Sequence, residues 1–153
     1  MNRMLPFALV FTFSVIFPGG MVWAQSNEFL DGLLAKQSIT VGQTAYLILV
    51  ASDNLAEDAD EARAFELLTN MGWAPAGAKI NQPIELASYS YILMRAFNLK
   101  GGIMYTLFPS PRYAFRELSS MQVIQSVYDP ASPVDGSMAI QILSMVFDTL
   151  GAN

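Results

Sequence analysis

Apolar residues recur along the chain at helical spacing in six blocks that fall into three pairs. Phe29, Leu30, Leu33 and Leu34 precede Tyr46, Leu47, Leu49 and Val50. Ala64, Leu67, Leu68 and Met71 precede Leu86, Tyr89, Leu93 and Phe97, a stripe widened by Ile92 and Ala96. Ala114, Phe115, Leu118 and Met121 precede Met138, Ile142, Val146 and Phe147. Punctuation lies between the blocks. Asp58 and Asp60 stand where acids favour a helix start, Gly72 stands where a helix closes, and Pro75, Gly77, Pro130 and Pro133 mark loops. The pattern predicts helix, loop, helix three times over, and hence an all-α fold. Strand evidence is thin: Gln122–Tyr128 could be extended, but it is short.

The pairs resemble one another. Residues 62–99 align with 112–149 without a gap. Ala64-Phe65 meets Ala114-Phe115, Leu68 meets Leu118, Met71 meets Met121, Pro83 meets Pro133, Ile92-Leu93 meets Ile142-Leu143, and Phe97 meets Phe147. Pro83 and Pro133 are not core positions, so the match exceeds what two amphipathic helix pairs share by patterning alone. A shorter copy precedes them, with Leu33 equivalent to Leu68 and Ile39-Thr40 equivalent to Ile84-Glu85. The copies run over about 27–55, 60–99 and 110–150, in a single domain spanning 25–153.

Residues 1–24 read as a secretory signal: Arg3, an apolar run from Leu5 to Phe17, the breaker Pro18-Gly19-Gly20, and the small-residue site Val22-Trp23-Ala24. The run is too short to span a bilayer. No Cys follows it to carry a lipid. Ala45–Ala51 is too short for a second span, and Ile92–Phe97 is interrupted by Arg95. Cleavage and export to the periplasm or envelope surface are therefore expected, with no transmembrane anchor afterwards.

Charge and composition narrow the chemistry. Eight Lys and Arg stand against thirteen Asp and Glu, a net charge of −5 that speaks against nucleic acid as a partner. Only 14% of residues are charged, and there is no His and no Cys. Those absences remove thiol nucleophiles, disulfides, His-based acid–base catalysis and the usual zinc and iron–sulfur ligand sets. The acidic run Asp53, Glu57, Asp58, Asp60 and Glu61 lacks the spacing and internal Gly of an EF-hand and reads as a solvated linker. No enzyme, cofactor or metal is expected.

The most informative linker is Lys100–Arg112, KGGIMYTLFPSPR, which reads as a loop. Its Ile103, Met104, Tyr105, Leu107 and Phe108 are unusually apolar for a connection. Either these side chains fold back to fill a gap between copies two and three, or they form an exposed adhesive loop flanked by Arg112 and Arg116.

The ordered set of three copies resembles the S-layer homology family, whose unit is a helix, a loop and a second helix opened by a motif of the form I-T-R-A-E. The equivalents here are Ile39-Thr40-Val41-Gly42-Gln43, Ile84-Glu85-Leu86-Ala87-Ser88 and Val134-Asp135-Gly136-Ser137-Met138, and Leu68-Thr69-Asn70-Met71-Gly72-Trp73 fits the end of the family's first helix. The resemblance covers nearly all of 25–153. It implies three repeats packed as a pseudo-threefold bundle and a groove that grips an anionic cell-wall polysaccharide. Thr40, Gln43, Glu85 and Asp135 are the groove candidates it implies. The motif's Arg is replaced by Val41, Leu86 and Gly136, and its acid by Gln43, Ser88 and Met138. An Arg fork is what holds a carboxylate well, so these replacements shift the expectation towards a protein partner. Met104, Tyr105, Leu107, Phe108 and Arg112 are the expected contacts. Thr40, Glu85 and Asp135 are also simply good helix-start residues. The sequence thus reads as a non-catalytic envelope module that binds a protein partner, with a cell-wall polysaccharide as the alternative ligand.

Overall fold

The computed structural model describes residues 28–125 and 127–151. The expected signal segment, 1–24, lies outside them. The regular secondary structure of the described residues is helical, with no strand among them. Residues 28–34 belong to α1. The others are α2 (Val41–Ala51), α3 (Glu61–Asn70), α4 (Leu86–Ala96), α5 (Ile103–Leu107), α6 (Pro111–Ser120) and α7 (Gly136–Gly151). The pairs α1/α2, α3/α4 and α6/α7 fall within the stretches 27–55, 60–99 and 110–150. α5 lies in the linker that the sequence presents as a loop, and its five residues make little more than one turn. No described residue of Gln122–Tyr128 is in a strand: the segment begins in the turn that closes α6, and Val123 and Ile124 are buried there.

Local chemistry sets the helix limits. Thr40 opens α2 with a reciprocal cap: its Oγ1 accepts from the Gln43 N–H, and the Gln43 Oε1 accepts from the Thr40 N–H, each at 3.2 Å. Asp60 caps α3 by accepting from the Arg63 N–H at 2.7 Å. Ser110 caps α6, with Pro111 in its first turn. Asp135 accepts from the Met138 N–H at 2.7 Å at the start of α7. α3 and α6 end alike. Gly72 (φ 70°) and Gln122 (φ 62°) both take the left-handed conformation. The N–H one residue further on reaches back to Leu68 in one case and Leu118 in the other.

Packing follows the pairing. α3 lies on α2 and α6 lies on α4, so the first helix of a pair rests on the second helix of the pair before it. Residues matched at a spacing of 50 occupy like surroundings. Ala64 and Ala114, Leu68 and Leu118, Ile92 and Ile142, and Leu93 and Leu143 are all buried. Phe97 and Phe147 meet edge to face, with ring centroids 5.3 Å apart. The Tyr89 hydroxyl donates to the carbonyl of Ala139 at 2.7 Å. Each fully buried Leu or Ile contributes about 1.5–3 kcal/mol of hydrophobic free energy, and the centre of the molecule contains many of them.

The segments before α2, α4 and α7 meet there. The Ile39 N–H donates to the Val134 carbonyl at 2.8 Å, Ile84 to Ile39 at 3.1 Å, and Val134 to Ile84 at 3.1 Å. These bonds close a ring of three, with all three side chains buried. A second tier surrounds it: Val41 donates to Gln82, Leu86 to Ser132, and Gly136 to Lys36. Backbone polar groups carried into the interior are thereby satisfied without a sheet.

Candidate functional site

The groove candidates sit at the starts of three different helices. Thr40 and Gln43 are engaged with each other's backbone in the α2 cap, and Asp135 is engaged in the α7 cap. Glu85 occupies the corresponding position before α4, is exposed, and makes no side-chain cap bond. Val41, Leu86 and Gly136, the third residues of the three segments, point inward. Val41 and Leu86 are fully buried, and a Cβ on Gly136 would stand 1.8 Å from the carbonyl oxygen of Leu33. A guanidinium at any of the three would enter the core or collide with backbone.

The Lys100–Arg112 segment divides. Tyr105 is 7% exposed, whereas Ile103 is 78%, Met104 47%, Leu107 63% and Phe108 62% exposed. One turn of helix produces this split: Tyr105 faces inward and its neighbours form an apolar ridge on the outside. Tyr105 is thus the side chain that folds back, and the other four apolar side chains are exposed. Arg112 is exposed in the first turn of α6. Thr106 Oγ1 donates back to the Gly102 carbonyl at 3.0 Å, which steadies the short helix.

Beside α5 lie two adjoining clefts, of about 330 and 380 Å³, that share Arg95, Asn98, Leu99 and Tyr105. Trp73 lines the first and Lys100 the second. The Tyr105 hydroxyl is buried and has no hydrogen-bond partner among the described residues. Burial raises its pKa; the charge of Arg95 works the other way and Tyr91 adds to the rise. Arg95 also lies over the Tyr91 ring, 6.0 Å from its centre. Neither Arg95, Lys100, Arg112 nor Arg116 is ion-paired within the described residues; Arg63 and Glu66, at 2.7 Å, do form a pair. Sequence reasoning passed over Trp73, Arg95 and Asn98. The available signal was the cationic bias of 86–128, where Glu117 is the only acid beside those four cations.

Other depressions lie elsewhere, two of them beside α1 and α2. One, of about 410 Å³, is lined by Glu28, Phe29, Tyr46 and the acidic linker 57–61. The Tyr46 hydroxyl donates to the Glu57 carbonyl there at 2.8 Å, and its pKa is raised by burial and by Glu57 and Asp58. Among the described residues no group of acids is arranged to hold a metal ion. The other, of about 210 Å³, is an apolar dip between Phe29, Leu30, Leu47, Val50 and Leu143. Leu30 and Leu34, expected in the apolar stripe of α1, are exposed, and Leu33 alone of that stripe is fully buried.

Among the described residues no helix is long and apolar enough to cross a membrane. Comparison with known proteins returns no match: no protein-family model, no curated protein and no solved structure matches the chain.

Proposed function

We propose that the chain is an exported, non-catalytic interaction module of a bacterial envelope. In this reading it is built from three degenerate S-layer-type repeats about a pseudo-threefold axis, and it binds a protein partner through the α5 region. The single observation that carries the partner assignment is the exposed ridge of Ile103, Leu107 and Phe108. It lies on the one helix outside the repeated pairs, where the fold makes no use of those side chains. Aromatic and large aliphatic anchors of this kind dominate protein interfaces. The ring of hydrogen bonds through Ile39, Ile84 and Val134 supports the threefold reading. The buried motif positions and the capping roles of Thr40, Gln43 and Asp135 count against a polysaccharide groove at the motifs.

A cell-wall polysaccharide as the ligand is the second reading. It is favoured by the cleft beside α5, where Trp73 supplies a stacking face and Arg95 a cation. Co-sedimentation of the protein with purified sacculi, run alongside its capture of proteins from its own envelope fraction, separates the two. The first reading expects specific protein capture that is lost when Leu107→Ser and Phe108→Ser are combined, with sacculi left in the supernatant. Sedimentation with sacculi by wild type and double variant alike would overturn it.

A further inference from the structure

Charge is segregated in this acidic chain. Arg95, Lys100, Arg112 and Arg116 fall between residues 86 and 128 with Glu117 as the only acid, while the other twelve acids lie outside that stretch. All four cations are exposed, and none is ion-paired within the described residues. Two of them, Arg95 and Lys100, line the clefts beside α5, and α5 carries the exposed apolar ridge. The same clefts are lined by Tyr105, more than nine-tenths buried, whose hydroxyl lacks a partner. An unsatisfied buried hydroxyl is costly unless something bonds it.

We infer that the α5 face receives an acidic, apolar-flanked peptide segment of the partner protein, with a carboxylate between Arg95 and Lys100 and apolar side chains against Leu107 and Phe108. The inference rests on the protein-partner reading above and adds the chemistry of the partner. A carboxylate seated there would accept from the Arg95 guanidinium, whose fork suits two parallel bonds. The Tyr105 hydroxyl, beside the same cleft, would donate to a polar group of the bound segment. A peptide is favoured over an acidic polysaccharide because a hydrated sugar polymer leaves the apolar ridge uncovered, whereas a peptide with apolar residues beside its acids covers both parts. The overall negative charge of the chain confines attraction of an acidic partner to this face, where the local excess is positive.

The probe is a short synthetic peptide in which Asp and Glu alternate with Leu and Phe. It is compared with its Asn/Gln counterpart and with polygalacturonate. Binding is read by backbone-amide NMR shifts on the protein purified from cells producing the full chain. Saturable shifts confined to the amides around 95–108 are expected with the acidic peptide. Affinity should weaken about tenfold or more on combining Arg95→Gln with Lys100→Gln, and severalfold on Tyr105→Phe. It should also weaken as salt is raised, because exposed charges are screened. Equal binding of the Asn/Gln peptide, preferential binding of polygalacturonate, shifts mapping elsewhere, or no shifts at millimolar peptide would each overturn the inference. So would concentration-dependent self-association abolished by the Arg95/Lys100 double change, which would assign the face to the acidic linker of a second copy. If envelope-protein capture survives that double change but is lost on changing Leu107 and Phe108, the partner reading stands and this chemistry fails.

Discussion

The joint where residues 39–41, 84–86 and 134–136 meet and the segment 98–110 stand at opposite extremes of one molecule. At the joint, three backbone segments exchange hydrogen bonds in a closed ring, and every apolar side chain is buried. In the segment, one aromatic side chain turns inward with an orphaned hydroxyl, and its apolar neighbours face outward. Each of the three helix pairs contributes one segment to the joint, whereas the connection between α2 and α3 contains no helix like α5. The apolar side chains of the joint are accounted for by packing. The segment 98–110 carries exposed apolar area and an unpaired charge that packing leaves unexplained.

The contrast is broken most sharply at Gly136. A Cβ there would lie 1.8 Å from the Leu33 carbonyl oxygen, a backbone atom that moves only if α1 moves. Gly136→Ala is expected to cost more than about 3 kcal/mol, the severe end of overpacking, in urea or thermal melts. A cost below about 1 kcal/mol would mean that the joint yields and is not the rigid part of the molecule.

Next come the paired core positions. Leu93→Ala and Leu143→Ala should each cost about 2–5 kcal/mol, as truncation in a packed core does. Similar losses at both would strengthen their treatment as equivalents. If both fall below about 0.5 kcal/mol by denaturant melts, the equivalence is mistaken.

Tyr89→Phe removes the bond to the Ala139 carbonyl and is expected to cost about 1–2 kcal/mol at neutral pH. It also changes the alkaline limb. Burial raises the Tyr89 pKa well above its ordinary value, while in the unfolded chain the same group ionises near about 10. The stability linked to it is complete below that pH and is lost as the pH rises beyond it, at about 1.4 kcal/mol per pH unit. Melts taken from neutral pH to above 10 should therefore fall less steeply in the Phe variant than in wild type. Parallel curves would show that Tyr89 does not govern this limb. Tyr46 and Tyr105, also raised, leave some slope in both proteins.

The smallest effect is expected on α5. Leu107→Ser combined with Phe108→Ser should change stability by less than about 0.5 kcal/mol, as surface substitutions generally do, and should leave the helical circular dichroism intact. A loss above about 2 kcal/mol would turn the ridge into core and erase the contrast between the two regions.

Most of the fold is legible in the chain. Apolar spacing marks α2, α3, α4, α6 and α7, because a helix that buries one face must repeat at that period. Asp60, Asp135 and Gly72 mark helix limits, because orphan backbone groups at helix ends need partners of that kind. The linker 100–112 stands out by composition, but α5 within it does not, since five residues are too few to establish a period. The exposure of Leu30 and Leu34 was equally hidden. Their spacing fits a buried stripe, and only the position of neighbouring helices decides which side of α1 is covered.

The candidate site divides along the same line. Chain order alone identifies Leu107, Phe108 and Arg112 as apolar and cationic residues in a connection, and it places Thr40, Glu85 and Asp135 at helix starts. It does not associate Trp73 with Arg95, Lys100 and Tyr105, which come together only when α5 folds back beside the end of α4. Nor does it reveal that Val41 and Leu86 face inward, or that Gly136 must lack a side chain because α1 ends against it. Periodicity and capping act over a few residues and are written into neighbouring positions. Burial, close backbone approach and the grouping of distant charges depend on how whole helices pack, and so they appear only in the assembled structure.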